Sequence, residues 1–226
     1  MQFLRRAVFF LMMASPAFAG GLDLLSSTQA SGGLKEALEQ GANVAVDQLG
    51  TKGGFLNNAK VRIPLPSALE KTRPILKMMG KADELDNLQT AMNRAAEAAV
   101  PEARTLLVGA VKSMSVDDAK KILSGGDNSV TRYFESKTRD ALTKRFLPVV
   151  TEQTNRLSLA GQYNQLAGKA AKTGLLKGEE SSVETFVTAK ALDGLYATIA
   201  EQERAIRANP MQAAGSLAKK VFEAMK

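Results

Sequence analysis

The feature that most constrains the fold is the spacing of the apolar residues, which recur at steps of three and four along most of the chain. This spacing places apolar side chains on one face of an α-helix. Leu34, Leu38, Ala42, Ala45 and Leu49 show it, and Gly50 then ends the predicted helix. No segment shows sustained alternation of apolar and polar residues, which a half-buried β-strand would need. The pattern therefore predicts an all-α fold, a single-domain bundle of about eight to ten helices.

Two later segments extend this prediction. The segment from Lys81 to Val100 carries an apolar stripe at helical spacing. The segment from Ser181 to about Asn209 is apolar over a wider arc, which predicts a central helix packed by several neighbours.

Capping residues and prolines predict where the helices begin and end. A Ser followed three residues later by an acidic residue is typical of a capping box, and the matching pairs are Ser67 with Glu70, Ser115 with Asp118, and Ser181 with Glu184. Asp127 or Asn128 is the predicted cap of the next helix, and Pro148 is expected to end that helix. Further interruptions are expected at Pro74, near Ser158 and Gly161, and at Pro210. The two prolines of 61–66, VRIPLP, predict an extended connection.

Residues 1–19 have the organisation of a secretory signal peptide. Arg5 and Arg6 precede a short apolar stretch, and Ala17-Phe18-Ala19 has the small-x-small form that signal peptidase cleaves. We therefore expect cleavage between Ala19 and Gly20, a single helical domain over 20–226, and a periplasmic location. The apolar stretch is too short to span a bilayer. The chain has no Cys, which excludes lipoprotein processing.

The absence of Cys and His excludes many chemistries. Without these residues there is no thiolate nucleophile, disulfide, Ser-His-Asp triad or His-ligated zinc. No motif identifies a catalytic residue, a cofactor or a metal site, so none is predicted. The formal charge of +7 falls to +5 when the two arginines of the leader are removed. The basic residues are not interleaved with aromatic residues, so nucleic acid is not an expected partner.

Asp86, Thr90, Asn93 and Glu97 form the most distinctive polar pattern in the chain. Their steps of four, three and four place them on one stripe of the predicted helix, beside its apolar stripe. Such a stripe is either a buried hydrogen-bond network, and so a small polar site, or a solvated helix face. Ordinary helix amphipathicity favours the solvated face.

Several segments together resemble a known bacterial family. They are GGFLN at 53–57, VRIPLP at 61–66, MNRAAEAA at 92–99, MSVDDA at 114–119, GGD at 125–127 and VTAKALDGL at 187–195. Their order and spacing resemble the secreted family called domain of unknown function 4197, over a region from about Leu22 to the C-terminus. The resemblance implies an exported, helix-rich protein, and it brings no catalytic residues.

Two functions of different classes follow from these observations. The first is a non-enzymatic module of the cell envelope that binds a hydrophobic, lipid-like ligand or a protein partner. It predicts an apolar groove or a cavity of ligand size. The alternative is a carboxylate-dependent glycan hydrolase or lytic transglycosylase-like enzyme, with Glu135, within a Glu-Ser dipeptide, or Glu97 as the acid. That enzyme would need a carboxyl with a raised pKa in a concave site. The absence of a catalytic motif favours the binding module.

Overall fold

The computed structural model describes residues 27–172 and 178–209, together with Lys219 and Val221. Within this part of the chain the predicted all-α class is confirmed, because it forms helices and no β-strand. The helices are α1 (Ser27–Leu49), α2 (Ser67–Glu70), α3 (Arg73–Met78), α4 (Ala82–Ala99), α5 (Ala103–Lys112), α6 (Val116–Ser124), α7 (Ser129–Thr154), α8 (Ser158–Lys172) and α9 (Val183–Ala208). Short 3₁₀ helices over Val100–Glu102 and Gly178–Ser181 precede α5 and α9. None of these helices is both long enough and apolar enough to cross a membrane.

Some predictions lie outside the described residues. They include the cleavage site at Ala19 and Gly20 and most of the helix predicted after Pro210.

The predicted apolar stripes of α1 and α4 are confirmed. All five stripe residues of α1 are buried, although the helix begins at Ser27, earlier than the periodicity indicates. The stripe of α4 is buried as well, and it comprises Leu85, Leu88, Met92, Ala95, Ala96 and Ala99.

The predicted central position of the last long helix is also confirmed. Helix α9 packs against α1, α4 and α7, and its buried residues continue around a wide arc. Leu192 and Tyr196 extend this arc beyond the stripe that contains Val187 and Leu195, and all four side chains are buried. The core of the bundle therefore forms around α9.

One predicted capping box is confirmed and two are wrong. Ser115 and Asp118 exchange the reciprocal hydrogen bonds of a capping box at the start of α6. Ser67 caps nothing, because Pro66 occupies the N-cap position of α2. At α9 the box is shifted by one residue, with Ser182 as the cap and Thr185 as its partner, so Ser181 does not cap the helix.

The prediction that Pro148 ends a helix is wrong, because α7 continues through this residue to Thr154. Pro148 lies on the exposed side of α7, where its missing N–H leaves the carbonyl oxygen one turn earlier open to water. Phe146 and Val150 are fully buried on the opposite side and hold the helix together across the proline. The chain breaks later, at 155–157, and Gly161 lies inside α8 without interrupting it.

The start of α7 is capped by a residue that is distant in sequence. Asn128 occupies the predicted N-cap position, but its φ is 69° and its side chain caps nothing. The buried carboxylate of Glu203 instead accepts hydrogen bonds from the N–H groups of Val130 and Thr131, each at 3.2 Å. Arg207 binds the same carboxylate at 3.0 Å. An anion from α9 thus satisfies the positive end of α7.

Candidate functional site

Residues 50–66 form an irregular loop that is held against α4 by Asn93. The side chain of Asn93 is fully buried. Its Oδ1 accepts a hydrogen bond from Ile63 N at 2.8 Å, and its Nδ2 donates to Ile63 O at 2.9 Å. Both backbone polar groups of Ile63 are therefore satisfied by one amide, as a neighbouring strand would satisfy them.

Glu97 holds the same loop one helical turn further along α4. Its buried Oε1 accepts hydrogen bonds from the N–H groups of Phe55 at 3.1 Å and Leu56 at 3.0 Å, and its Oε2 accepts one from Arg94. Burial raises the pKa of Glu97, but the hydrogen bonds that the carboxylate accepts from Arg94 and from backbone N–H groups, Leu56 foremost, together outweigh that effect. The pKa of this carboxyl therefore lies below its ordinary value of 4.5.

The other side of the loop rests on α9 at Gly194. A Cβ atom at Gly194 would lie 2.7 Å from Cε1 of Phe55 and 3.3 Å from Cβ of Val61. The absence of a side chain at Gly194 thus lets the loop approach α9, and it lets the Phe55 ring become fully buried. We call Asn93, Glu97, Phe55, Ile63 and Gly194 the loop clamp.

The predicted polar stripe divides into two halves with different environments. Asn93 and Glu97 belong to the loop clamp and are buried. For these two residues the favoured prediction of a solvated helix face is therefore wrong. Asp86 and Thr90 are exposed. Asp86 binds Arg73 of α3 at 2.8 Å. The stripe therefore positions a loop rather than forming an open polar site.

A groove runs between the clamped loop, α7 and the outward face of α9. It consists of two adjoining clefts of about 720 Å³ and 250 Å³ that share Lys60, Val61, Asp193 and Ala197. Among the described residues that line it, the cations outnumber the three carboxylates. The cations are Lys60, Arg62, Arg132, Arg139, Lys190 and Arg204.

Ion pairs neutralise the carboxylates of the groove. Arg139 donates to Glu135 at 2.9 Å and to Asp193 at 2.8 Å, and its guanidinium lies 5.3 Å from the centre of the Tyr196 ring. Lys60 binds the remaining carboxylate, Glu201, at 2.9 Å. Every acidic group of the lining is thereby matched by a cation.

Three arginines of the groove have no carboxylate partner in the described part of the chain, namely Arg62 of the smaller cleft and Arg132 and Arg204 of the larger one. Arg132 and Arg204 are exposed, and neither makes an ion pair there. Arg204 donates only to the side-chain oxygen of Asn128, at 3.3 Å. Both guanidinium groups are therefore free to bind an anion.

The family model described as "Protein of unknown function (DUF4197)" matches residues 24–223. The chain belongs to this family. No match was found among the curated proteins or among the solved structures.

In this DUF4197 chain, four of the segments that carry the resemblance meet at the loop clamp. GGFLN supplies Phe55, VRIPLP supplies Ile63, MNRAAEAA supplies Asn93 and Glu97, and VTAKALDGL supplies Gly194.

The carboxyl groups proposed as catalytic acids are engaged in structural contacts in this DUF4197 chain. Glu97 belongs to the loop clamp, and Glu135 is paired with Arg139 at the edge of the groove. Hydrogen bonds from Arg73 and Ser115 lower the pKa of Glu70 and Asp118, respectively. The described residues contain no group of three or more acidic side chains placed to hold a metal ion.

Sequence reasoning missed the groove. Arg132 and Arg139 lie seven residues apart on α7, and a spacing of two helical turns indicates that they share one helix face. Nothing local, however, indicates that Lys60 of the loop and Arg204 of α9 line the same cleft. Their proximity results from the way α7, α9 and the clamped loop pack together.

Proposed function

We propose that the protein is exported to the periplasm and acts there as a non-enzymatic binding module, whose groove receives an acidic, extended segment of a protein partner in the envelope. The observation that carries the proposal is the pair Arg132 and Arg204, two exposed arginines that line an open cleft without a carboxylate partner in the described residues. The fixed loop beside them gives the cleft a preformed wall.

The shape of the groove favours an extended ligand. Lys190 and Arg204 lie toward its two ends and are separated by fourteen steps along α9, or about 20 Å. An extended peptide of about six residues has this length. The excess of cations over carboxylates along the lining favours acidic side chains on that peptide.

The apolar space of the bundle supports a protein partner over a hydrophobic ligand. A pocket lined mainly by apolar residues, among them Leu38, Phe134 and Ile199, has a volume of only about 20 Å³. A drug-sized ligand needs roughly 300 Å³ or more. The larger clefts combine polar and charged side chains with short apolar ones.

The catalytic alternative has less support. A glycan hydrolase needs a carboxylic acid that stays protonated near neutral pH. Where a carboxyl pKa is shifted among the described residues, at Glu70, Glu97 and Asp118, the shift is downward. Glu135, which lines the groove, is held by Arg139.

The groove is tested by fluorescence anisotropy with a labelled hexaglutamate peptide. We expect the double variant Arg132→Glu and Arg204→Glu to weaken binding at least about tenfold, because it replaces two attractions with two repulsions. The control is Lys144→Glu with Arg156→Glu, which changes the net charge equally at exposed positions outside the groove lining. We expect this control to retain binding within about twofold at moderate salt. Equal loss in both variants would overturn the proposal.

Export is tested separately by measuring the mass of the protein recovered from the periplasm. A chain that begins at Gly20 supports the proposed location. A chain that retains residues 1–19 contradicts it without affecting the groove.

A further inference from the structure

Helix α3 exposes an apolar face that the groove does not use. Ile75, Met78 and Met79 are 58%, 85% and 62% exposed, which makes them the most exposed of the large hydrophobic residues described. Their spacing of three and four places them on one face of the helix. None of the three lines the groove.

The fold holds this face in a fixed orientation. Gly80, with φ of 72°, ends α3, and Lys81 N donates to Leu76 O at 2.7 Å across the turn. Leu76, on another side of α3, packs against the core. Arg73 binds Asp86 of α4 at 2.8 Å. The apolar face is therefore directed away from the bundle by contacts on its other sides.

The unpaired charge on and beside α3 is mainly positive. Residues 71–81, KTRPILKMMGK, contain four cations and no acidic residue. Three of the acidic residues on either side are paired, since Arg73 binds Glu70 and Asp86, and Lys81 lies 3.7 Å from Glu84. Asp83 is exposed and makes no ion pair within the described residues. Lys71 and Lys77 are exposed and make no ion pair within the described residues.

We propose that this face of α3 is a peripheral docking site for an anionic lipid bilayer. Ile75, Met78 and Met79 enter the interfacial layer, and Lys71 and Lys77 bind the headgroup phosphates. Long lysine side chains can reach the headgroups while an adjacent apolar surface lies deeper. The contact is weak and reversible, since α3 has only six residues and few side chains enter the bilayer.

The size of the face favours a bilayer over a protein partner. A stable protein interface buries roughly 800 Å² on each partner. Three neighbouring aliphatic side chains offer much less, and the surrounding lysines would have to lose water in such an interface. A bilayer accepts a small apolar insertion and leaves the charged groups hydrated.

The absence of Cys from the sequence allows a direct test. A Met78→Cys variant carries an environment-sensitive fluorophore at a single site. We expect its emission to shift to the blue and brighten with vesicles of phosphatidylcholine and phosphatidylglycerol, and to stay unchanged with phosphatidylcholine alone. The control is Val116→Cys, which labels an exposed apolar position on α6 and should show no change. A shift that depends on protein concentration without vesicles indicates self-association and overturns the proposal.

Unlabelled variants test the same site by vesicle co-sedimentation. Met78→Ser with Met79→Ser removes apolar surface, and Lys71→Glu with Lys77→Glu reverses the free charge. Each should reduce the bound fraction at least about fivefold, because both contributions are needed for weak peripheral binding. Val116→Ser should bind like the unaltered protein. If the double methionine variant or the double lysine variant binds vesicles as well as the unaltered protein does, the docking site is not on α3. All these positions are exposed, so a retained unfolding midpoint shows that the fold is intact.

Discussion

Asn93 and Ile63, thirty residues apart in the sequence, are joined by two hydrogen bonds. The side-chain amide of Asn93 binds both the backbone N–H and the backbone C=O of Ile63. Asn93 Nδ2 also donates to Gln89 O on its own helix at 2.8 Å. Two buried polar side chains of α4, Asn93 and Glu97, therefore hold the loop beside the groove, together with the packing of Phe55 on Gly194.

Replacing Asn93 with Leu should destabilise the protein by about 2 kcal/mol, because the buried N–H of Ile63 is left unpaired and Ile63 O keeps only the longer hydrogen bond from Gln89, at 3.3 Å. Urea unfolding monitored by circular dichroism measures the change. Thr90→Ala, on the exposed half of the same stripe, is the control and should change stability by less than about 0.5 kcal/mol. A similar small effect for Asn93→Leu would show that the loop is held by other contacts.

The contribution of Glu97 should depend on pH. Its pKa in the folded state is lowered, so the carboxylate stabilises the fold above its ordinary pKa of 4.5, and this contribution is lost as the pH falls through the folded-state value. Glu97→Gln should therefore be less stable than the wild type at neutral pH, and the difference should shrink as the pH falls below 4.5. Denaturant unfolding over this pH range measures it. Glu102→Gln, an exposed position with the same charge change, should leave the wild-type pH dependence in place. If the unfolding free energy of Glu97→Gln depends on pH as strongly as that of the wild type, the Glu97 carboxylate is not the source of this pH dependence.

Gly194→Ala should destabilise the protein by about 1 to 3 kcal/mol, because the added methyl group overlaps the buried ring of Phe55. The helix propensity of alanine offsets only about 1 kcal/mol of this strain. Gly109→Ala, in α5, provides the matched control, since a Cβ there meets no atom within 4 Å. The control should be neutral or slightly stabilising. Thermal unfolding of both variants separates the two effects, and equal behaviour would indicate that the loop can move away from α9.

Thr188→Val should stabilise the protein by about 1 kcal/mol. The Oγ1 of Thr188 is buried and has no hydrogen-bond partner among the described residues, so the hydroxyl loses its hydration without compensation. Thr198→Val, on the same helix, removes a hydroxyl that donates to Gly194 O at 2.9 Å and should destabilise instead. The changes in unfolding free energy relative to the wild type should therefore have opposite signs in the two variants. A loss of stability in both would indicate that the Thr188 hydroxyl does have a hydrogen-bond partner.

The success of the helix predictions reflects the local nature of the signal. The stripes of α1 and α4 depend on spacings of three and four residues, which helical geometry alone converts into a buried face. The capping box of Ser115 and Asp118 is equally local, and it was predicted correctly.

Two of the errors arose where contacts with distant residues outweighed a local signal. Asn128 was expected to cap α7, but Glu203 of α9 satisfies those N–H groups. Pro148 was expected to end the helix, but burial of Phe146 and Val150 on its other side maintains it. In both cases tertiary packing stabilised an arrangement that the local sequence disfavours.

The helical class, most of the helix positions and the faces that become buried could be predicted from the sequence, because they depend on residues within one or two turns of each other. The packing of distant segments, by contrast, determines that Asn93 and Glu97 hold a loop, that Gly194 lies beneath Phe55, and that Arg132 and Arg204 share a cleft. The physical reason is that a polar side chain on a helix can be satisfied by water or by a buried backbone group. Which of these it meets depends on where segments distant in the sequence pack.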